Sequence, residues 1–140
     1  MYQKIYWIIT LAFVLSFVNA FAQGMDNEKG AVVAAEKWLA LVDDGKNADS
    51  WKEAARFFKN SIKQDQWDQS LQAARQPLGN LISRNISSKV YTKTLPGAPD
   101  GEYVIMQFEA SFQNKKSALE TITCMKEKDG NWRVAGYYIK

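Results

Sequence analysis

Residues 101–140 read GEYVIMQFEASFQNKKSALETITCMKEKDGNWRVAGYYIK, and the fold turns on how they are paired. From Val104, apolar residues recur at every second position through Met106, Phe108, Ala110 and Phe112, the period of a half-buried strand. Asn114-Lys115 marks a tight turn, and Leu119 to Met125 resumes as a Thr-rich run of high strand propensity. Asp129-Gly130 fits a type I′ hairpin, whose two central residues need positive φ. Trp132 to Ile139 supplies the last strand. The expectation is an antiparallel meander.

Two-residue turns set the register, and the register sorts the faces. With Asn114-Lys115 at one tip, Val104 pairs with Met125, Met106 with Thr123, Phe108 with Thr121 and Ala110 with Leu119. With Asp129-Gly130 at the other, Met125 pairs with Val134, Thr123 with Gly136 and Thr121 with Tyr138. The expected core face is Val104, Met106, Phe108, Leu119, Met125, Trp132, Val134 and Tyr138. The opposite face then carries Tyr103, Ile105, Gln107, Glu109, Glu120, Ile122, Cys124, Arg133, Tyr137 and Ile139. It sets Glu109 against Glu120, a like-charge pair that needs a cation or a shared proton. A loop of odd length at Asn114 gives the other register, in which Glu120 turns inward.

Upstream, Lys4, the apolar run from Ile5 to Val18 and Ala20-Phe21-Ala22 form a secretory signal peptide pattern, residues 1–22. Cleavage before Gln23 leaves 23–140 as a single domain and lowers the formal charge from +3 to +2, because Lys4 is the one charged residue removed. So mild a charge gives no reason to expect nucleic acid, and no membrane association is expected after cleavage. The single Cys124 cannot close an internal disulfide. The chain has no His, which removes the commonest general base and metal ligand.

Three helices are expected before the sheet. The first carries Val32, Ala35, Trp38, Leu39 and Val42 on one stripe and ends at Gly45. The second opens on Ser50 and Glu53 as a capping box and carries Trp51, Ala54, Ala55 and Phe58. The third, from Asp65 to Arg75, turns Trp67, Leu71 and Ala74 inward and stops near Pro77 and Gly79. Leu81 to Lys93 is the first strand, with Ile82, Ile86, Val90 and Arg84 on the core side. The class is α+β: three N-terminal helices on one face of a curved, cone-like four-stranded antiparallel sheet.

The set Pro77-Leu78-Gly79, Ser83-Arg84, Tyr91-Thr92, LPGAPDGEY (95–103), Gln107-Phe108, Ser111-Phe112, Asn114-Lys115, Glu120-Thr121 and DGNWRVAGYYIK (129–140) resembles the bacterial secreted family labelled domain of unknown function 4019, and Trp38-Leu39 and Ser50-Trp51 fit it too. That resemblance implies a fold and an envelope compartment, not a reaction. The layout also resembles the cone-shaped fold of nuclear transport factor 2 and ketosteroid isomerase, in which helices close over a sheet and leave a pocket. The isomerase projects a carboxylate base and acidic hydrogen-bond donors into its pocket. The core face expected here has no such acid, so none of those residues is carried over.

Several groups are candidates for a site. Arg84, Thr121, Trp132 and Tyr138 would line a cavity between helices and sheet, where a buried guanidinium needs an anion or several acceptors. Ile105, Glu109, Glu120, Ile122, Tyr137 and Ile139 form the expected interface of a homodimer through the outer sheet face. Asp43, Asp44, Asn47 and Asp49 invite a calcium reading, but the spacing is not an EF-hand loop, and capping explains them better. Cys124 reads as a small packed hydrophobe. Trp38, Trp51, Trp67, Trp132 and Tyr138 read first as core. Glu109 and Glu120 are the one pair able to act as acid and base, with Lys89, Lys126 or Arg133 as neutralising partners. No catalytic residue, metal or cofactor is assigned. The expectation is a periplasmic or secreted binding or protein-interaction module that meets an envelope protein or an unknown small ligand. The alternative is a carrier or enzyme using the cavity.

Overall fold

A computed structural model describes residues 25–140. The expected signal peptide lies outside the described residues.

Helix α1 spans residues 25–43. It buries Ala35, Trp38, Leu39 and Val42 as expected, with Ala31 in place of Val32, which is half-buried. Gly45 closes it at φ 73°, its N–H donating to Val42 O at 3.1 Å while Lys46 N–H donates to Leu41 O at 2.9 Å. This pair of bonds is the Schellman closure that a left-handed residue permits.

The second expected helix is two, α2 (Asn47–Glu53) and α3 (Arg56–Ser61). Between them Ala54 and Ala55 are extended and fully buried, and Ala55 N–H donates to Val134 O at 2.8 Å. A helical Ala55 would spend that N–H within the helix, so docking to the sheet breaks it. Ser50 is no cap: it lies inside α2, fully buried, and Lys46 holds the N-cap position. Helix α4 (Gln64–Arg75) buries Trp67 and Leu71. Ala74 is exposed, and Arg75, one turn beyond Leu71, continues the buried face instead. A 3₁₀ turn, Gln76–Leu78, and Gly79 at φ 72° lead to the sheet.

The sheet is an open antiparallel meander of β1 (Leu81–Thr92), β2 (Tyr103–Phe112), β3 (Lys115–Lys126) and β4 (Trp132–Ile139), in that spatial order. The helices pack on one face of it, as the α+β class requires. The main core joins α1, α2, α3 and α4 to Val104, Met106, Phe108, Ile122, Cys124 and Val134.

The register corrects the expected faces. The β2–β3 turn is Gln113-Asn114, one residue earlier than expected, because Gln113 N–H donates to Asn80 O and Asn114 N–H to Leu78 O, each at 2.8 Å. A bulge then follows between the Phe112↔Lys115 and Ala110↔Ala118 pairs. The net result is Val104 opposite Cys124, Met106 opposite Ile122 and Phe108 opposite Glu120, a slip of one residue from the favoured pairing. A one-residue slip exchanges the faces of a whole strand. Glu120, Ile122 and Cys124 are therefore buried, while Leu119, Thr121 and Met125 lie on the outer face.

Strand β4 keeps the expected pairs Thr123↔Gly136 and Thr121↔Tyr138 and slips by one beyond a bulge at Ala135, giving Cys124↔Val134. The expected two-residue type I′ turn at Asp129-Gly130 is instead a turn over residues 128–130: only Gly130 has positive φ (83°), its N–H donates to Glu127 O, and Glu127 N–H donates to Asn131 O, each at 2.9 Å. Tyr137 thus faces the core and Tyr138 does not, being 63% exposed. In β1, irregularities between Leu81 and Ser83 and between Ile86 and Ser88 explain its blurred alternation. Arg84 and Ile86 lie on the inner side as expected, although Ile86 is 39% exposed; Val90 lies on the outer side and Ile82, unpaired at the first irregularity, is exposed.

Candidate functional site

Two features of the helix-covered face have the chemistry of a site: a buried ion network and an open cleft. The network sits where the C-terminal ends of α1 and α4 meet β1, β3 and β4. Arg84 lies at its centre. Its Nε donates to Glu120 Oε1 at 2.7 Å and Nη2 to Glu120 Oε2 at 3.2 Å. Its Nη1 and Nη2 donate to the two oxygens of Asp43 at 2.7 and 2.9 Å. Arg75 adds a bond from Nη2 to Asp43 Oδ1 at 2.7 Å and rests its guanidinium on the Phe112 ring, 4.7 Å from the centroid. Tyr137 donates its phenolic O–H to Glu120 Oε2.

Two arginines thus meet two carboxylates, and the formal charges cancel. Glu120 is fully buried and the Arg84 side chain is 11% exposed, so solvent screens the pairs little. Burial alone would push Asp43 up; the hydrogen bonds from Arg84 and then Arg75, with their charges, outweigh it and hold the carboxyl below its usual range. Burial would likewise push Arg84 down, and its bonds to Asp43 and Glu120 reverse that. Burial, with the Glu120 charge, pushes the Tyr137 phenol up. The shifts therefore carry the pKa values of Asp43, Arg84 and Tyr137 away from neutral pH, keeping the first two charged and the phenol protonated, opposite to what a general acid or base requires.

Beside the network, aromatic rings fill the space between helices and sheet. Trp38 lies 5.8 Å from Trp67 and 5.4 Å from Tyr137, and Phe58 meets Trp67 edge-on at 4.9 Å. The indole N–H groups are satisfied: Trp38 donates to Ser50 O at 2.7 Å, and Trp67 donates to Ser50 Oγ at 2.9 Å. Ser50 donates in turn to Asn47 O at 2.6 Å. The core reading of Trp38 and Trp67 holds.

Of the four expected cavity residues, Arg84 alone enters the network. Thr121 and Tyr138 are on the outer face through the register slip, and Trp132 lines the separate cleft. Of the six expected interface residues, Ile105 and Glu109 are on the outer face, with Glu109 opposite Leu119 rather than Glu120. Glu120, Ile122, Tyr137 and Ile139 are on the inner side, Ile139 against the small cluster of Ala110, Phe112 and Ala118. Of the expected neutralising partners of Glu109 and Glu120, Lys89 pairs with Glu28 at 3.9 Å and Arg133 with Asp129 at 2.9 Å, while Lys126 pairs with neither glutamate. Cys124 is buried, its thiol pushed by burial to about 12. Among the described residues no group of three or more His, Cys, Asp or Glu converges as metal ligands, and no helix is long and apolar enough to cross a membrane.

Asp43 and Arg75 were missed as network members. Their signal was present as spacing: Asp43 follows Leu39, and Arg75 follows Leu71, by one turn along the buried stripes.

The second feature is a cleft of about 640 Å³ between α1, α2 and the start of β4. Val33, Trp38, Leu41 and Trp132 give it an apolar floor, and Lys37, Asp49 and Glu53 stand around it. Gly30 admits the indole of Trp132, since a Cβ there would lie 3.0 Å from its Cδ1.

These features define a class: an α+β protein whose helices cover one face of an open antiparallel sheet, with neutralised charges sealing one end of the interior. The chain belongs to the family of proteins of unknown function DUF4019, which matches residues 34–137. It is also similar to a solved structure from Catenulispora acidiphila, with 8% identity, a TM-score of 0.50, and coverage of 90% of this chain and 94% of that one. At that identity the likeness concerns the fold alone. Comparison with curated proteins gives no match.

Proposed function

We propose that this protein is a non-catalytic binding or protein-interaction module of the cell envelope, exported through residues 1–22 and matured by cleavage before Gln23. One observation carries the non-catalytic part. Both oxygens of Asp43 and both of Glu120 already accept hydrogen bonds from Arg75, Arg84 or Tyr137, so the network offers a substrate no free acid, base or nucleophile. The helix-over-sheet layout also supports the cone-like reading, with aromatic rings where that fold elsewhere keeps a pocket. Incubation with panels of hydrolase and isomerase substrates tests this. The expectation is no turnover beyond that of an Asp43→Asn/Glu120→Gln variant, and turnover abolished by that variant would overturn the reading.

A second copy of the chain is the partner proposed for the outer sheet face. The supporting observation is apolar surface there that the helices leave uncovered: Ile82 and Val90 are 69% and 54% exposed, beside half-buried Ile105 and exposed Tyr138. Sedimentation as a monomer at high concentration would contradict it.

A further inference from the structure

Resting on the binding-module reading, we propose that the cleft between α1, α2 and β4 takes a short extended peptide segment, which adds as a strand to the free edge of β4.

The backbone carries the argument first. Strand β4 ends the sheet. In the β3–β4 hairpin, Glu127 N–H donates to Asn131 O at 2.9 Å, and Lys126 N–H turns away from β4 to donate to Glu102 O at 3.0 Å. Antiparallel ladders alternate bonded and non-bonded pairs. Trp132, opposite Lys126, and Val134, opposite Cys124, therefore turn their N–H and C=O groups away from β3. The bond from Ala55 N–H to Val134 O confirms the direction and takes one of these groups. Val134, 1% exposed, is covered at this edge by the extended Ala54-Ala55 segment, so Trp132 N–H and Trp132 C=O remain as a donor–acceptor pair on the half-buried wall of the cleft. An extended peptide matches such a pair through the N–H and C=O of one of its own residues.

Side chains give the second argument. A volume of about 640 Å³ suits a few residues. Val33, 48% exposed, and the half-buried Trp132 offer an apolar surface to every second side chain of an extended segment. Lys37 stands on α1, and Asp49 and Glu53, one turn apart, stand on α2. Among the described residues none of these three is in an ion pair. The complementary peptide alternates apolar residues and carries a basic residue toward α2 and an acidic one toward α1.

The test uses protein purified from expression of the full-length chain, panned against a phage-displayed library of random heptapeptides. The expected result is enrichment of alternating apolar peptides bearing a basic residue. In amide-resolved NMR, their titration should move Trp132 and Val134 more than the β1 amides. Asp49→Lys/Glu53→Lys should weaken binding about tenfold at unchanged thermal midpoint, because these side chains are exposed. N-methylation of the peptide amide that faces Trp132 C=O should weaken it several-fold, a loss that side-chain docking alone would not show. No enrichment, or peptides insensitive to both changes, overturns the cleft proposal. Peptides that bind and shift another face overturn the cleft while leaving the binding-module reading intact; that reading fails separately, on substrate turnover.

Discussion

Replacing Arg84 with Met puts a figure on what the buried network holds. The substitution keeps much of the aliphatic stem and removes four charge-assisted hydrogen bonds of 2.7 to 3.2 Å. It leaves Glu120 buried with the Tyr137 hydroxyl and with Arg75, whose Nη1 is 3.9 Å from Glu120 Oε2. Removing one partner of a buried pair costs about 3–5 kcal/mol, most of it the penalty of the charge left behind. For a chain of this size that is a fall in Tm of roughly 10–20 °C. The double variant Arg84→Met/Glu120→Met removes both charges and fills the space with apolar atoms, so it should be more stable than Arg84→Met alone. Urea unfolding of wild type, both single variants and the double variant gives the coupling energy. A loss below about 1 kcal/mol for Arg84→Met, or additive effects in the double variant, would refute the reasoning.

Three further outcomes follow from the same geometry. Asp43 titrates below its usual 3.8 in the folded chain, so its stabilisation is whole above that pH and is lost as pH falls through the lower folded value; the Tm gap between wild type and Asp43→Asn should hold at neutral pH and narrow only in strong acid. Cys124 runs the other way: raised from 9.0 to about 12, its neutral thiol stabilises the fold up to pH 9.0, and wild type should lose stability relative to Cys124→Val between these values, with the thiol slow toward aromatic disulfide reagents until the protein unfolds. Ser50→Ala removes the acceptor of the Trp67 indole N–H inside the core and should cost about 1–3 kcal/mol in urea unfolding, with Ser50→Thr less damaging where its methyl group is accommodated.

Element types were legible wherever period and turn chemistry were strong: the α1 stripe with its Gly45 closure, a β3–β4 hairpin around Asp129-Gly130 and the alternation of β2; the turn type was not, because Glu127 and Asn131 close the hairpin one residue wider than a type I′ turn. Faces were less legible, because they depend on bonds between distant segments. The Gln113-Asn114 turn is held by carbonyls of Leu78 and Asn80, some thirty residues earlier, and no local pattern announces that hold. Ala54-Ala55 read as good helix formers, yet an edge carbonyl of β4 claims the Ala55 N–H and outweighs propensity. The site followed the register. Arg84 was expected inside and is inside; Glu120 needed the alternative loop, and once it turns inward the unfavourable Glu109 pairing disappears. Asp43 and Arg75 were hidden by the habit of reading charged residues on a helix as its wet face.

Whether Glu120 lies inside is the point on which the account of the site rests, and adjacent residues of β3 report on it in opposite ways. Ile122 is fully buried opposite Met106 and Tyr137, whereas Thr121 lies on the outer face opposite Gln107 and Tyr138. Thermal unfolding of Ile122→Asp and Thr121→Asp, made side by side, measures the register directly. The account predicts that Ile122→Asp fails to fold or loses several kcal/mol to a buried, unpaired charge, while Thr121→Asp stays within about 1 kcal/mol of wild type. A well-folded Ile122→Asp beside an unfolded Thr121→Asp would return Glu120 to the outer face and contradict the account.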